Sequence, residues 1–221
     1  MIKYLIWDLD GTLFDTYPAF TESFLMILRD HGYSTDADWV LSLTKVGFSH
    51  CASVLASQFG LVQEEVEKSF WQNYEDVPHE DQYLMQGAKE LCEYMISEGG
   101  MNVIVTHRDR ASMIGLLETH KVEALFTDCI AGDEGFPLKP DPSAVEAIIE
   151  RNDIVKELAV LVGDRDMDAG AGLAAGVRTC LLNARYSSVQ ADYHVDHLNE
   201  LRQLIQEEND VGLKDTSNLN T

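Results

Sequence analysis

The sequence predicts an α/β fold, a parallel sheet with helices on both faces, into which one all-helical domain is inserted. Short β-rich apolar runs alternate with stretches of helical periodicity, the pattern of a parallel sheet covered by helices. One interval, residues 15–83, shows helical periodicity and no convincing strand, and about 70 residues is too long for a crossover in a compact domain. Polar residues suited to chemistry stand directly after the apolar runs, where open parallel sheets bind their ligands.

The elements follow in chain order. YLIWD at 4–8 reads as the first strand. Within the insertion, Phe20, Phe24, Ile27 and Leu28 make one helical face, Val54, Leu55 and Phe59 a second, and Val66, Phe70, Trp71 and Tyr74 a third. Leu84, Ala88, Leu91, Cys92 and Met95 then fall at helical spacing, before strands NVIVT at 102–106 and TDCIAG at 127–132. In KPDP, Asp141 and Pro142 fit the N-cap and first position of a helix that carries Ala144, Ala147 and Ile148. LAVLVGD at 158–164 and VRTCLL at 177–182 complete the sheet. The expected organisation is a core of residues 1–14 and 84–208, a helical domain of 15–83, and a polar tail, NDVGLKDTSNLNT at 209–221, that frays.

A chain of 221 residues suits one large domain with an insertion. Its net charge of −22 repels nucleic acid and anionic membrane surfaces. No apolar run approaches the ~20 residues of a membrane span. MIKYLIWD lacks the longer apolar core and small-residue cleavage site of a signal peptide. Cys51, Cys92, Cys129 and Cys180 are scattered without a CxxC pair, which fits free thiols in a reducing compartment. These readings point to a cytoplasmic protein, monomer or homodimer, with neither nucleic-acid nor membrane partner.

The strand ends carry the chemistry. Asp8 and Asp10 follow YLIW and, two apart in an extended chain, point to the same side. Neighbouring carboxylates oppose each other's ionisation unless a proton or cation separates them. Thr106, His107 and Arg108 follow NVIV, Lys139 lies in GFPLKPDP, and Asp164 and Asp168 lie in GDRDMD. Together they suit phosphoryl transfer. An ionised Asp8 can attack phosphorus, turning one hard displacement into two easier ones. Asp10 can protonate the leaving oxygen and later take a proton from water. Thr106 and the backbone N–H groups near Gly11 and His107 can hold phosphoryl oxygens, with Arg108 as a further substrate contact. Lys139 offers a point charge to phosphate and nucleophile. Asp164, with Asp8, would hold Mg²⁺, a hard cation that prefers oxygen ligands. Asp168 is either a ligand, an orienter of the ligands or a helix-start acid.

DLDGT at 8–12, Thr106, Lys139 with Pro140, and GDRDMD at 163–168 resemble, in that order, the motifs of the haloacid dehalogenase superfamily. AGAGLAAGV at 169–177 resembles that family's fourth-motif helix, and the insertion its small helical cap. The resemblance implies a Rossmann-like core and a phosphatase hydrolysing a small-molecule phosphate monoester, of the phosphoglycolate phosphatase-like or β-phosphoglucomutase-like branch. It makes Asp8 the nucleophile, Asp10 the acid and base, and Thr106 and Lys139 the stabilisers of phosphate and nucleophile. The Mg²⁺ ligands become Asp8, the main-chain carbonyl of Asp10, and Asp164. Asp10 argues against the dehalogenase and phosphonatase branches, which lack an aspartate there. Phe20 stands where sugar phosphomutases usually carry a histidine, so hydrolysis is favoured over the phosphomutase alternative. His107 and Arg108 replace a commoner Asn-containing pair, and Arg165 a frequent Ser. Lys45, Gly47 and His50 in LTKVGFSH resemble the cap's substrate-facing loop, Lys45 as a contact for a second anionic group, such as a carboxylate, or for sugar hydroxyls.

Two rival classes fit less well. GAGLAA at 170–175 matches a dinucleotide pattern, but GDRDMD separates it from its strand, so its glycines belong inside a helix. A phospho-accepting signalling module would be about half this length and carry its phosphorylated acid on a middle strand. HVDH at 194–197 reads as surface residues.

Overall fold

The computed structural model describes residues 1–183 and 189–218. It divides the chain into two compact units, Met1–Phe14 with Leu84–Thr221, and Asp15–Tyr83.

In the first unit the strands are β1 (Tyr4–Trp7), β4 (Met101–Val105), β5 (Asp128–Ile130), β6 (Ala159–Gly163), β7 (Arg178–Leu182) and β8 (Tyr193–Val195); β2 (Phe14–Asp15) and β3 (Tyr83–Leu84) are the short strands where the chain leaves that unit and returns. Among the described residues the main sheet has the order β5-β4-β1-β6-β7-β8, every pair parallel. Its helices are α5 (Ala88–Ser97), α6 (Arg110–Thr119), α7 (Ser143–Arg151), α8 (Asp166–Ala175) and α9 (Leu198–Asn218). The first unit is therefore an α/β, Rossmann-like domain.

Successive strand residues point to opposite faces, and β1 shows it. Leu5 and Trp7 enter a core with Leu91 of α5, Leu116 of α6 and Leu201 of α9. Ile6 enters the other core, with Ile148 of α7 and Ala171 of α8. Burial on both faces is why the strands read as continuous apolar runs. Truncating such a side chain, Leu91→Ala for example, costs about 2–5 kcal/mol. The glycines of GAGLAA lie in α8, where a Cβ on Gly172 would come within 2.5 Å of Thr179 Cγ2; they serve close packing.

The second unit contains α1 (Tyr17–Asp30), α2 (Ala37–Val46), α3 (Phe48–Phe59) and α4 (Gln63–Glu75). Its core joins Phe24, Leu28, Val40, Leu55, Val66 and Phe70. Phe20 packs at its edge, its ring 4.7 Å from that of Tyr74.

Four details differ from the sequence expectations. Leu84, read at helical spacing with Ala88 and Leu91, lies in β3, because α5 begins only at Ala88, after Gly87 at a φ of +87°. β8 was not anticipated, because it is three residues long and only Val195 is buried. Residues 209–218, expected to fray, continue α9: Asn209 is buried, accepts the Ile2 N–H at 2.6 Å and donates to the Ile2 carbonyl at 3.1 Å, while residues 219–221 lie outside the described residues. At α7 the N-cap is Pro142, not Asp141, whose carboxylate accepts the Ser143 N–H at 2.9 Å from one residue further out.

Candidate active site

The order of the sheet creates the site. β1 lies between β4 and β6, with Trp7 level with Ile104 and Val162. The chain therefore delivers Asp8, Thr106 and Asp164 to one end of three adjacent strands. The Asp8 N–H continues the ladder past the strand, donating to the Val162 carbonyl at 2.8 Å. Beyond Asp8 the chain turns sharply at Gly11, whose φ of +78° is readily available only to glycine.

Lys139 is the centre of charge. Its ammonium lies 2.5 Å from Asp8 Oδ1 and 2.6 Å from Asp168 Oδ1, and donates to the Val105 carbonyl at 3.1 Å. The three side chains are at most 1% exposed. Burial opposes the charge on Lys139, yet Asp168 and Asp8 hold its pKa above the ordinary value. Burial likewise works against Asp168 as an anion, but Lys139 and Arg165 keep its carboxyl below the usual range. Asp8 goes the other way: burial, then the Asp168 charge, push it up to about 6 despite Lys139. One ammonium does not fully compensate two buried carboxylates.

Local structure fixes these positions. Asp168 lies in the first turn of α8, where its Oδ2 accepts the Arg165 N–H at 3.1 Å. A Cβ on Gly163 would come within 2.3 Å of Asp168 Cβ, so glycine there lets the helix start approach the strand. His107 Nε2 accepts the backbone N–H of Lys139 at 2.7 Å, a role open only to the neutral ring. Burial, then Lys139 and Arg165, push His107 down to about 4, which preserves that form.

Asp10 and Arg108 form a second pair. Arg108 Nη2 donates to Asp10 Oδ1 at 2.6 Å, and Nε to Oδ2 at 3.3 Å. The Arg108 N–H donates to Thr106 Oγ1 at 3.1 Å. Arg108, expected from the sequence as a substrate contact, pairs through its guanidinium with the Asp10 carboxylate.

Asp8, Asp10, Gly11, Thr106, His107, Arg108, Lys139, Asp164 and Asp168 thus all belong to the α/β unit. Lys45 belongs to the helical unit, in the last turn of α2, its ammonium 5.8 Å from the centre of the Tyr17 ring. Gly47 separates α2 from α3, and His50 lies within α3. Sequence reasoning gave no role to Thr12, which is buried with its hydroxyl 3.4 Å from Asp164 Oδ1. A threonine directly after Asp-Leu-Asp-Gly was the available signal.

The residues fit a divalent cation. Asp8 Oδ2 is buried and, among the described residues, has no hydrogen-bond partner. Asp8, Asp164 and Asp168 offer carboxylate oxygens within 4.8 Å of one another, the donor set of a hard cation. The Asp10 carboxylate lies on Arg108; the resemblance assigned only its main-chain carbonyl to the metal.

Fold and site together are those of an α/β enzyme that keeps its reactive groups beyond the ends of the central parallel strands. Residues 5–182 match the family described as haloacid dehalogenase-like hydrolase, and the chain belongs to that family. A phosphoglycolate phosphatase of Aliivibrio fischeri is 26% identical over 199 residues, covering 84% of this chain and 86% of its own. The crystal structure of a hydrolase from Streptococcus pneumoniae TIGR4 is 27% identical with a TM-score of 0.67, over 93% of this chain and 98% of that one. A hydrolase of the same superfamily from Geobacter sulfurreducens PCA shares the fold at 23% identity and a TM-score of 0.75, over 92% and 96%. Among the described residues no helix is long and apolar enough to cross a membrane.

Proposed function

We propose that the protein is a Mg²⁺-dependent phosphatase that hydrolyses a small phosphate monoester through an aspartyl-phosphate on Asp8. The observation that carries the reading is the state of Asp8. It is buried, held at one oxygen by Lys139 and, among the described residues, without a hydrogen-bond partner at the other. A carboxylate kept dry and anchored on one side is prepared for attack from the other.

In the first half-reaction an Asp8 oxygen bonds to phosphorus as the ester P–O bond breaks. Asp10 passes its proton to the departing oxygen, which leaves as an alcohol. In the second half, Asp10 takes a proton from water as the water oxygen attacks phosphorus. Inorganic phosphate leaves and the Asp8 carboxylate is restored. Thr106 and the backbone N–H groups beside Gly11 and His107 would hold the non-bridging oxygens, and Lys139 keeps Asp8 oriented. Asp8 and Asp164 would hold Mg²⁺, with Asp168 beside them, and the ion when bound would neutralise charge on the transferring group. The pairing of Asp168 with Lys139 favours it as the residue that orients both.

The relatives named as phosphoglycolate phosphatases make phosphoglycolate the first ester to try. The test is phosphate release from a panel of phosphomonoesters, with Mg²⁺ and with chelator. Metal-dependent release from one or a few small esters is expected. No release from any ester by the folded, Mg²⁺-supplied protein would overturn the reading.

A further inference from the structure

We infer that Arg108 is a positioning residue for Asp10: its guanidinium, braced on α6, fixes the carboxylate that moves protons in both half-reactions. This rests on the acid–base reading of Asp10 given above.

The geometry is specific. Arg108 grips both oxygens of Asp10, at 2.6 and 3.3 Å, although 98 positions separate the two residues in the chain. Its side chain is 4% exposed, against 18% for Asp10. Arg108 is thus the buried, fixed partner and Asp10 the one that reaches solvent. The guanidinium is itself located from behind. Nη1 donates to Ser112 Oγ at 2.9 Å, and the Ser112 N–H is tied to the Asp109 N-cap at 2.9 Å, so the brace stands on the first turn of a capped helix. The Arg108 N–H also donates to Thr106 Oγ1, joining the brace to the end of β4. A planar guanidinium that contacts both carboxylate oxygens sets the plane of the carboxylate as well as its distance; an ammonium sets neither so closely.

The test compares Arg108→Ala, Arg108→Lys, Asp10→Asn and the Arg108→Ala/Asp10→Asn double variant by steady-state phosphate release with Mg²⁺. Misplacing a proton-transfer group lowers the rate by about 10²-fold. Arg108→Ala is therefore expected to lose about that factor in kcat with KM nearly unchanged. Its loss in kcat/KM should be larger for an alkyl phosphate, whose departing alkoxide needs the proton, than for p-nitrophenyl phosphate. Arg108→Lys should recover part of the rate, and added guanidinium ion should rescue Arg108→Ala but not Asp10→Asn. In the Asp10→Asn background, removing Arg108 should change kcat no further, because it acts through the missing carboxylate. A full additional loss in that background, or a rise in KM with kcat unchanged, would overturn the inference while leaving the acid–base reading intact. Wild-type turnover by Asp10→Asn would overturn that reading, and the inference with it. Circular dichroism checks the fold; if Arg108→Ala does not fold, Arg108→Lys carries the same comparison, since lysine cannot keep both contacts.

Discussion

Replacing Lys139 with methionine keeps much of the side-chain volume and removes an ammonium that contacts both Asp8 and Asp168. The ammonium lies 2.5 and 2.6 Å from their oxygens, with none of the three side chains more than 1% exposed. Each attraction is about 6 kcal/mol at an effective dielectric constant of 20, but desolvating the three ions consumes most of it. What decides the outcome is the state left behind, two like charges buried together. Breaking a buried pair typically costs about 3–5 kcal/mol, and the upper half of that range applies because two anions lose their partner. Uptake of one proton by the pair limits the loss. That uptake fixes a sign: a carboxyl with raised pKa in the folded state favours folding at low pH and loses the benefit as pH rises. Lys139→Met should therefore lose more stability at pH 8 than at pH 5, measured by urea unfolding followed through tryptophan fluorescence. Adding Asp168→Asn should recover part of the loss, since one of the stranded charges is gone. A Lys139→Met protein within about 1 kcal/mol of wild type at pH 8 would refute the view that this ammonium holds two ionised carboxylates.

Mg²⁺ should raise the melting temperature of the wild type, by the equivalent of about 2.7 kcal/mol at a hundredfold excess over its Kd, and Asp164→Ala should abolish the rise in a thermal-shift titration. Gly163→Ala places a Cβ within 2.3 Å of Asp168 Cβ; overpacking of about 1–3 kcal/mol, with loss of turnover from a displaced Asp168, is expected in unfolding and activity assays. Burial opposes ionisation of Glu208, yet hydrogen bonds from the N-terminal amine, Arg178 and Tyr193 pull its carboxyl down to about 2 from 4.5. A depressed carboxyl stabilises the fold above its unfolded pKa, so this contribution should fade as pH falls from 4.5 towards 2, and Glu208→Gln should flatten the acid limb of stability against pH.

The parts of the protein that could be read from sequence are those whose cause is local. β1, β4, β6 and β7 announce themselves as apolar runs because both their faces are buried, and Asp8, Thr106 and Asp164 stand out because a polar residue ends each run. The parts that could not be read depend on distant partners. α9 continues past Glu208 because Asn209 is tied to Ile2, at the far end of the chain. β8 exists because Cys180–Leu182 of β7 offers it an edge, and its own three residues carry almost no apolar signal. In the site, the residue types were visible but not their pairings. Nothing near Arg108 in sequence indicates that it grips Asp10, and nothing near Asp168 indicates that it shares an ammonium with Asp8.

The most direct measurement is rapid acid quench of the enzyme with a turned-over ester and Mg²⁺, followed by peptide mass mapping, in wild type, Asp8→Asn and Asp10→Asn. A phosphoryl group on the peptide containing Asp8, absent from Asp8→Asn and longer-lived in Asp10→Asn, is the predicted result. Turnover with no phosphorylated aspartate, or with the phosphoryl group on another residue, would contradict Asp8 as the nucleophile.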